Sequence, residues 1–257
     1  MADIQKIYGL HAAQALINAR PDQIVGAWVD RERKDSKLRA IIRLLENMGI
    51  RLEFTDKKML EKLSSNGNHQ GIVLTAKLPQ ERTEEALKKA IKEQEEDAFY
   101  LVLDQVTDPH NLGACLRTAL AVGVQGVIVP KDNACRLNAT VCKVASGAAE
   151  VLPVYRVTNL VRTLKYLKAQ GIWLSGAAGE ATLDVFDAEL TGSVAIVMGA
   201  EGKGLRQLTQ QQCDQLIKIP MSDKVESLNV SVATGIILYE THRQNKQILK
   251  PVRGLSR

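Results

Sequence analysis

Short apolar runs alternate along the chain with segments of helical period, and the alternation falls into two stretches. In residues 5–77, His11-Ala-Ala-Gln-Ala-Leu-Ile opens a helix. Residues 24–29 make a strand, and 37–48 an amphipathic helix ended by Gly49. Residues 51–54 and 72–76 add two more strands. From residue 98 the runs at 99–103, 126–129, 172–175, 194–198 and 216–219 read as strands. Helices fall at about 112–122 and 161–169, with a long final helix at 229–244. Continuously apolar strands separated by helices predict a parallel sheet covered on both faces, hence an α/β fold. Ligand sites in such sheets lie at the carboxyl ends of the strands.

Between the two stretches, residues 79–97 are charged and poor in large apolar side chains. They read as a linker with helical character. The expected organisation is therefore a domain at 1–78, a linker at 79–97, a domain at 98–247 and a disordered tail at 248–257. The first domain carries a net charge of +4, the linker −3 and the remainder +4, for +5 overall. This mild basic excess fits an RNA partner without requiring one. Ten aromatic residues in 257 are too few for an extended base-stacking platform. Cys115, Cys135, Cys142 and Cys213 form no CxxC pair and lack histidine at zinc spacing, so thiols in a reducing cytoplasm are expected, with no metal. No apolar run is long enough for a membrane span and no signal peptide is evident, so no membrane association is expected.

Three segments carry candidate chemistry, each at the end of a predicted strand or the start of a helix. In Gly199-Ala-Glu-Gly-Lys-Gly204 the spacing is GxxGxG, which matches neither the dinucleotide fingerprint nor a phosphate loop. A tight turn alone would explain the glycines, but Glu201 within it is costly unless it has a partner. In Asp104-Gln-Val-Thr-Asp-Pro-His-Asn111, Asn111 either caps a helix or faces a ligand. Arg117 lies six residues on, in an otherwise apolar helix. From a loop, Asn111 could share one cleft with Arg117. In Ser227-Leu-Asn-Val-Ser-Val-Ala-Thr-Gly235, the alternation reads either as a strand or as a helix capped by Ser227 that presents Asn229 and Ser231. Lys143-Val-Ala-Ser-Gly-Ala-Ala-Glu150 reads as a closely packed small-residue helix ending in a solvated Glu150. His69-Gln70-Gly71 reads as a turn.

In this order, the three segments resemble the SpoU (TrmH-like) class of the SPOUT RNA 2′-O-methyltransferases. Ile7-Tyr-Gly-Leu-His11 and His69-Gln-Gly71 are similar to the small RNA-binding domain that precedes the catalytic domain in many members. Pro130-Lys-Asp, Leu137-Asn-Ala-Thr140 and Ile219-Pro-Met221 resemble the bacterial enzymes acting on guanosine of 23S ribosomal RNA. The resemblance covers about residues 5–245. It implies a small N-terminal α/β RNA-binding domain of ribosomal-protein type and a parallel-sheet catalytic domain with a deep trefoil knot, an exception to the usual unknotted chain. It also implies S-adenosylmethionine as methyl donor, a homodimer, a cytoplasmic location, and 23S rRNA or its assembly intermediate as partner. The activity implied is 2′-O-methylation of a guanosine ribose in the peptidyl-transferase region.

By the same resemblance the catalytic set is Asn111, Arg117, Glu201, Asn229 and Ser231. The cofactor contacts implied are Gly176, Gly179, Gly199, Glu201, Gly202, Ile219, Met221 and Leu228, largely through backbone. A guanidinium stays protonated at neutral pH, so Arg117 would activate the 2′-hydroxyl electrostatically or through the neighbouring phosphate rather than as a base. A tRNA ribose methyltransferase shares all three segments. A non-catalytic RNA-binding or ribosome-assembly factor would have no need of Asn111, Arg117, Glu201 and Asn229. Removing residues 1–78 is expected to weaken RNA binding and spare the rest of the fold.

Overall fold

In a computed structural model of the chain, residues 4–33 and 35–248 are described. The expected tail at 248–257 lies, beyond its first residue, outside them. In chain order the elements are β1 (Ile4–Tyr8), α1 (Leu10–Ala19), β2 (Ile24–Asp30), α2 (Ser36–Asn47), β3 (Leu52–Thr55), α3 (Lys57–Leu63) and β4 (Ile72–Lys77). There follow α4 (Glu84–Lys92), β5 (Phe99–Leu103), α5 (Pro109–Ala121), β6 (Gly126–Pro130), α6 (Ala139–Ala145), α7 (Ala148–Val151) and β7 (Val154–Val157). The chain continues through α8 (Leu160–Ala169), β8 (Trp173–Ala177), β9 (Leu183–Asp184), β10 (Val194–Met198), α9 (Gln207–Gln210), β11 (Gln215–Lys218) and α10 (Val230–Ile248). They assemble into two units. One holds the described residues up to Gln80 together with Leu137–Val151; the other holds the remainder.

The first unit is built on a four-stranded sheet of order β1-β4-β2-β3, antiparallel except for the β2–β3 pair. On α2 the buried side chains are Leu38, Ile41 and Leu45, one stripe of an amphipathic helix. Asp35 caps its start by accepting from the Leu38 N–H, and Gly49 at φ 69° ends it. The His69-Gln70-Gly71 turn does more than reverse the chain. Gln70 Oε1 accepts from the Leu10 N–H at 3.0 Å, so the turn caps α1.

Leu137–Val151 arrives in this unit from far along the chain. The expected single helix ending at Glu150 is two short ones, broken where Ser146 (φ 50°) and Gly147 (φ 94°) turn left-handed. Gly147 packs against Ala15 of α1. Glu150 is buried, not solvated. It accepts from Arg20 Nη1 at 2.6 Å and from Gln5 Nε2 at 3.1 Å. Burial pushes its carboxyl above the ordinary value, against the pull of Arg20 and the Gln5 hydrogen bond. Deleting residues 1–78 would thus strip Glu150 of both partners and uncover α6 and α7. The expectation that such a truncation spares the rest does not survive this packing.

The second unit holds a seven-stranded sheet of order β7-β6-β5-β10-β8-β11-β9, with every pairing parallel. β6 and β10 are buried at all five positions, as strands covered on both faces must be. The expected linker at 79–97 contains α4, capped by Thr83, whose Leu87 and Ile91 enter this unit's core beside Tyr100, Leu164 and Leu174. Apart from Glu84, which is buried, its charged side chains describe the solvent side of an amphipathic helix. α5 and α10 pack on one another, with Cys115 donating to Thr234 Oγ1 between them. Burial pushes the Cys115 thiol up to about 11 and that of Cys213 up to about 12.

Candidate functional site

Three strand ends define the site. β8, β10 and β11 finish side by side, and the chain beyond each supplies a wall: 177–180, 198–204 and 217–221. Residues 226–228 and the first turns of α10, through Val230, Ala233 and Ile237, close a cavity of about 300 Å³. That volume lies at the small end of the range for ligand sites.

The loop after β10 explains its own composition. Ala200 and Gly204 exchange backbone hydrogen bonds at 3.1 and 2.9 Å, which folds the segment back on itself. A Cβ on Gly199 would meet the Gly204–Leu205 backbone at 2.1–2.3 Å, and backbone cannot move aside as a flexible side chain can. Gly202 and Gly204 take φ 75° and 64°. The three glycines therefore serve the turn, and Glu201 is what the turn delivers.

Glu201 is held by two amides. Its Oε2 accepts from Asn111 Nδ2 at 3.2 Å and from Asn229 Nδ2 at 3.3 Å. Asn229 also donates to Asn111 Oδ1 at 2.9 Å. Asn229 Oδ1 in turn accepts from the Ser231 N–H at 2.9 Å and the Ser231 hydroxyl at 2.6 Å. Residues from three distant segments thus share one network, which orients the carboxylate before any ligand arrives. Asn229 is the cap of α10, so the alternating segment is the start of a helix and its cap is Asn229 rather than Ser227. Asn111 is not in a loop. Asp108 caps α5, accepting from the His110 and Asn111 N–H groups, and Asn111 sits in the first turn.

A second cavity of about 490 Å³ lies beyond Glu201, lined by Gln105–Asp108, Asn111, Asn133, Ala200, Glu201, Lys203 and Val230. Ala200, Glu201, Lys203 and Val230 face both cavities, so the Glu201 loop is the partition between them.

Of the expected cofactor contacts, Gly179, Gly199, Glu201, Gly202, Ile219, Met221 and Leu228 line the first cavity. Gly176 does not. It is packed behind the wall, where a Cβ would meet Cys213 Sγ at 2.6 Å. Arg117 joins neither cavity. Six residues of helix carry it about 9 Å along α5 from Asn111 and about a third of a turn around it. It is exposed, and among the described residues it makes no hydrogen bond or ion pair.

One pair escaped the sequence. Asp104, fully buried at the end of β5, accepts from Arg206 Nη2 at 2.7 Å and Nε at 2.9 Å, and its backbone N–H donates to Met198 O. It anchors the far end of the Glu201 loop. A carboxylate closing the apolar run of β5 was the available signal, but a partner 102 residues away was not legible.

These features define a class. The SpoU rRNA methylase family matches residues 98–239, and the substrate-binding domain of RNA 2′-O ribose methyltransferases matches residues 6–82. The chain belongs to the SpoU rRNA methylase family. Among its relatives is the 23S rRNA (guanosine-2′-O-)-methyltransferase RlmB of Vibrio parahaemolyticus, 51% identical over 238 residues, or 93% of this chain and 96% of that one. The enzyme of the same name from Escherichia coli K12 is 48% identical over 240 residues, 93% and 98% of the two chains. The crystal structure of the SpoU methyltransferase AviRb from Streptomyces viridochromogenes in complex with AdoMet has a TM-score of 0.74 at 25% identity. It covers 93% of this chain and 89% of that one.

Proposed function

We propose that the protein transfers a methyl group from S-adenosylmethionine to the 2′-oxygen of a guanosine ribose in 23S rRNA. The observation that carries this reading is the partition: one fixed carboxylate, held by Asn111 and Asn229, between a small cavity and a larger polar one. A bisubstrate reaction needs two sites that adjoin, one for each reactant, and these two adjoin at Glu201. The first cavity suits the methyl donor. Gly179, Gly199, Gly202 and Gly204 present backbone, Ile217, Ile219, Leu228 and Ile237 present apolar surface for a flat base, and Glu180, Glu201 and Glu226 outnumber Lys203 and Lys218. A ligand with net positive charge is favoured there. The deep trefoil knot implied by the resemblance belongs to the same reading.

The bound donor supplies an electrophilic methyl carbon on a sulfonium. The rest is the work of the protein. The 2′-oxygen forms the new C–O bond as the C–S bond breaks, and the 2′-proton leaves to solvent or to the neighbouring phosphate. Asn111 and Asn229 hold Glu201 so that the ribose enters in one orientation, a contribution of positioning. Closure of the cavity by α10 keeps water from competing for the methyl.

Arg117 activates the hydroxyl by charge. Since it lies outside both cavities of its own chain, it acts on the partner's site in a homodimer. The exposed apolar side chains Leu120 on α5 and Val232 and Tyr239 on α10 support that interface. No helix of the described residues is long and apolar enough to cross a membrane, and a ribosomal RNA substrate supports a cytoplasmic location.

The test is transfer from labelled S-adenosylmethionine to unmodified 23S rRNA and to tRNA, with mapping of the modified nucleotide. Label on one 23S guanosine ribose is expected. Label confined to tRNA would overturn the substrate, and donor binding with no transfer to either would overturn the activity.

A further inference from the structure

We infer that a cleft at the other half of the same sheet edge is a docking site for the phosphodiester backbone of the RNA, apart from the reaction site and resting on the activity proposed above. Its volume is about 560 Å³. Pro130 and Asp132 at the end of β6 form one side, Thr158 to Lys165 at the start of α8 another, and Arg206 with Leu208 the third. Three cations, Arg162, Lys165 and Arg206, face one carboxylate, Asp132.

The charges that balance two of these cations lie beneath them. Arg162 Nη2 meets Glu84 Oε2 at 3.0 Å, with the Glu84 side chain 7% exposed and that of Arg162 63%. Arg206 meets Asp104 at 2.7 Å, with the Asp104 side chain 0% exposed and that of Arg206 43%. Each guanidinium is thereby fixed on its inner side and left with outward N–H groups, the fork that phosphate accepts. Glu84 is shared with Lys88 at 3.0 Å, so that cluster keeps an excess positive charge. Lys165 is exposed and, among the described residues, without a hydrogen-bond or ion-pair partner. Fixed forks with a free ammonium suit a chain of repeating anions better than a single small ion.

The position fits the same conclusion. Arg206 closes the Glu201 loop onto β5, so this one residue belongs to the cleft and anchors the reaction site. From β7 to β10 is three strand steps, roughly 14 Å at the usual strand spacing. A few nucleotides of RNA span that distance, with the target ribose at Glu201 and flanking phosphates over Arg162 and Lys165.

The experiment uses the full chain with Lys165→Glu, a solvent-facing change that leaves both buried carboxylates paired. Lys92→Glu, an exposed change of the same charge on α4, is the control. Equilibrium binding to a 23S rRNA transcript is measured from low to moderate salt, with donor binding and methyl transfer alongside. Roughly tenfold weaker RNA binding is expected for Lys165→Glu, with the slope of log affinity on log salt reduced by about 0.7 per lost phosphate contact. Donor affinity should be unchanged, and KM for RNA should rise far more than kcat falls. RNA affinity and salt slope equal to those of Lys92→Glu would overturn the cleft assignment. Absence of transfer by the unaltered protein would count against the proposed activity, while the binding comparison would still decide the cleft.

Discussion

Replacing Arg20 by Met tests whether Leu137–Val151 is held by charge. Arg20 Nη1 lies 2.6 Å from Glu150 Oε2, with side chains 19% and 2% exposed. Removing one member of a buried pair costs about 3–5 kcal/mol, because the other charge is left uncompensated. Coulomb's law agrees in scale, at roughly 4 kcal/mol for charges about 4 Å apart at an effective dielectric near 20. For a unit of this size, 3 kcal/mol lowers the melting temperature by at least about 12 °C.

The pH dependence supplies a signature. The folded-state pKa of Glu150 is raised, chiefly by burial, so its contribution is fully present below the unfolded value of about 4.5 and is lost as pH rises through the folded value. Without Arg20 the folded value rises further. The deficit of the variant against the native protein is therefore largest at pH 8 and shrinks toward pH 5. Scanning calorimetry at both values measures it. Adding Glu150→Gln to Arg20→Met should recover most of the loss, since a neutral amide still reaches Gln5. A deficit under about 1 kcal/mol that is the same at pH 5 and pH 8 would place the pair with surface ion pairs and refute the reasoning.

Gly199→Ala should reduce donor affinity more than tenfold by calorimetry, because its Cβ would lie 2.1–2.3 Å from the Gly204–Leu205 backbone and push the Glu201 loop out of place; unchanged affinity would remove the loop from the donor site. Arg117→Ala should abolish methyl transfer and leave donor binding intact, and near-native turnover would remove Arg117 from the mechanism. Asn229→Ala should cost about 1 kcal/mol of stability through the lost α10 cap and lower kcat at least 100-fold through a released Glu201. A stability loss without a kcat loss would make Asn229 a cap and nothing more.

The parallel sheet was legible because β5, β6 and β10 are short runs of apolar side chains, which only a doubly covered sheet accommodates. β1 and β7 were not, since Gln5, Lys6 and Arg156 interrupt their apolar pattern; Gln5 and Arg156 are satisfied by Glu150 and Glu81, partners far away in sequence. The same limit applied at the site. Glu201 stood out as a carboxylate among glycines, and Asn111 and Asn229 by their place at helix starts. Their meeting within 3.3 Å comes from strand order, which no local pattern encodes. Arg117 could share a cleft with Asn111 only if Asn111 lay in a loop; Asn111 sits in the first turn of α5, and helical geometry separates the two. Leu137–Val151 read as part of the domain around it because nothing in its composition announces Arg20.

The sheet order also sets a schedule for synthesis. β10, the middle strand of seven, is made after β5, β6, β7, β8 and β9. From residue 104 until β10 emerges, β5 exposes one edge, and from residue 178 β8 exposes another, each waiting for the strand that will lie between them. Both edges are apolar and unpaired over that interval, the condition under which nascent chains aggregate. β10 joins the two halves of the sheet at a late moment, the Glu201 loop follows immediately behind it, and β11 then enters between β8 and β9. The site is complete only once β11 has covered the remaining edge of β8 and the start of α10 has brought Asn229 to Glu201.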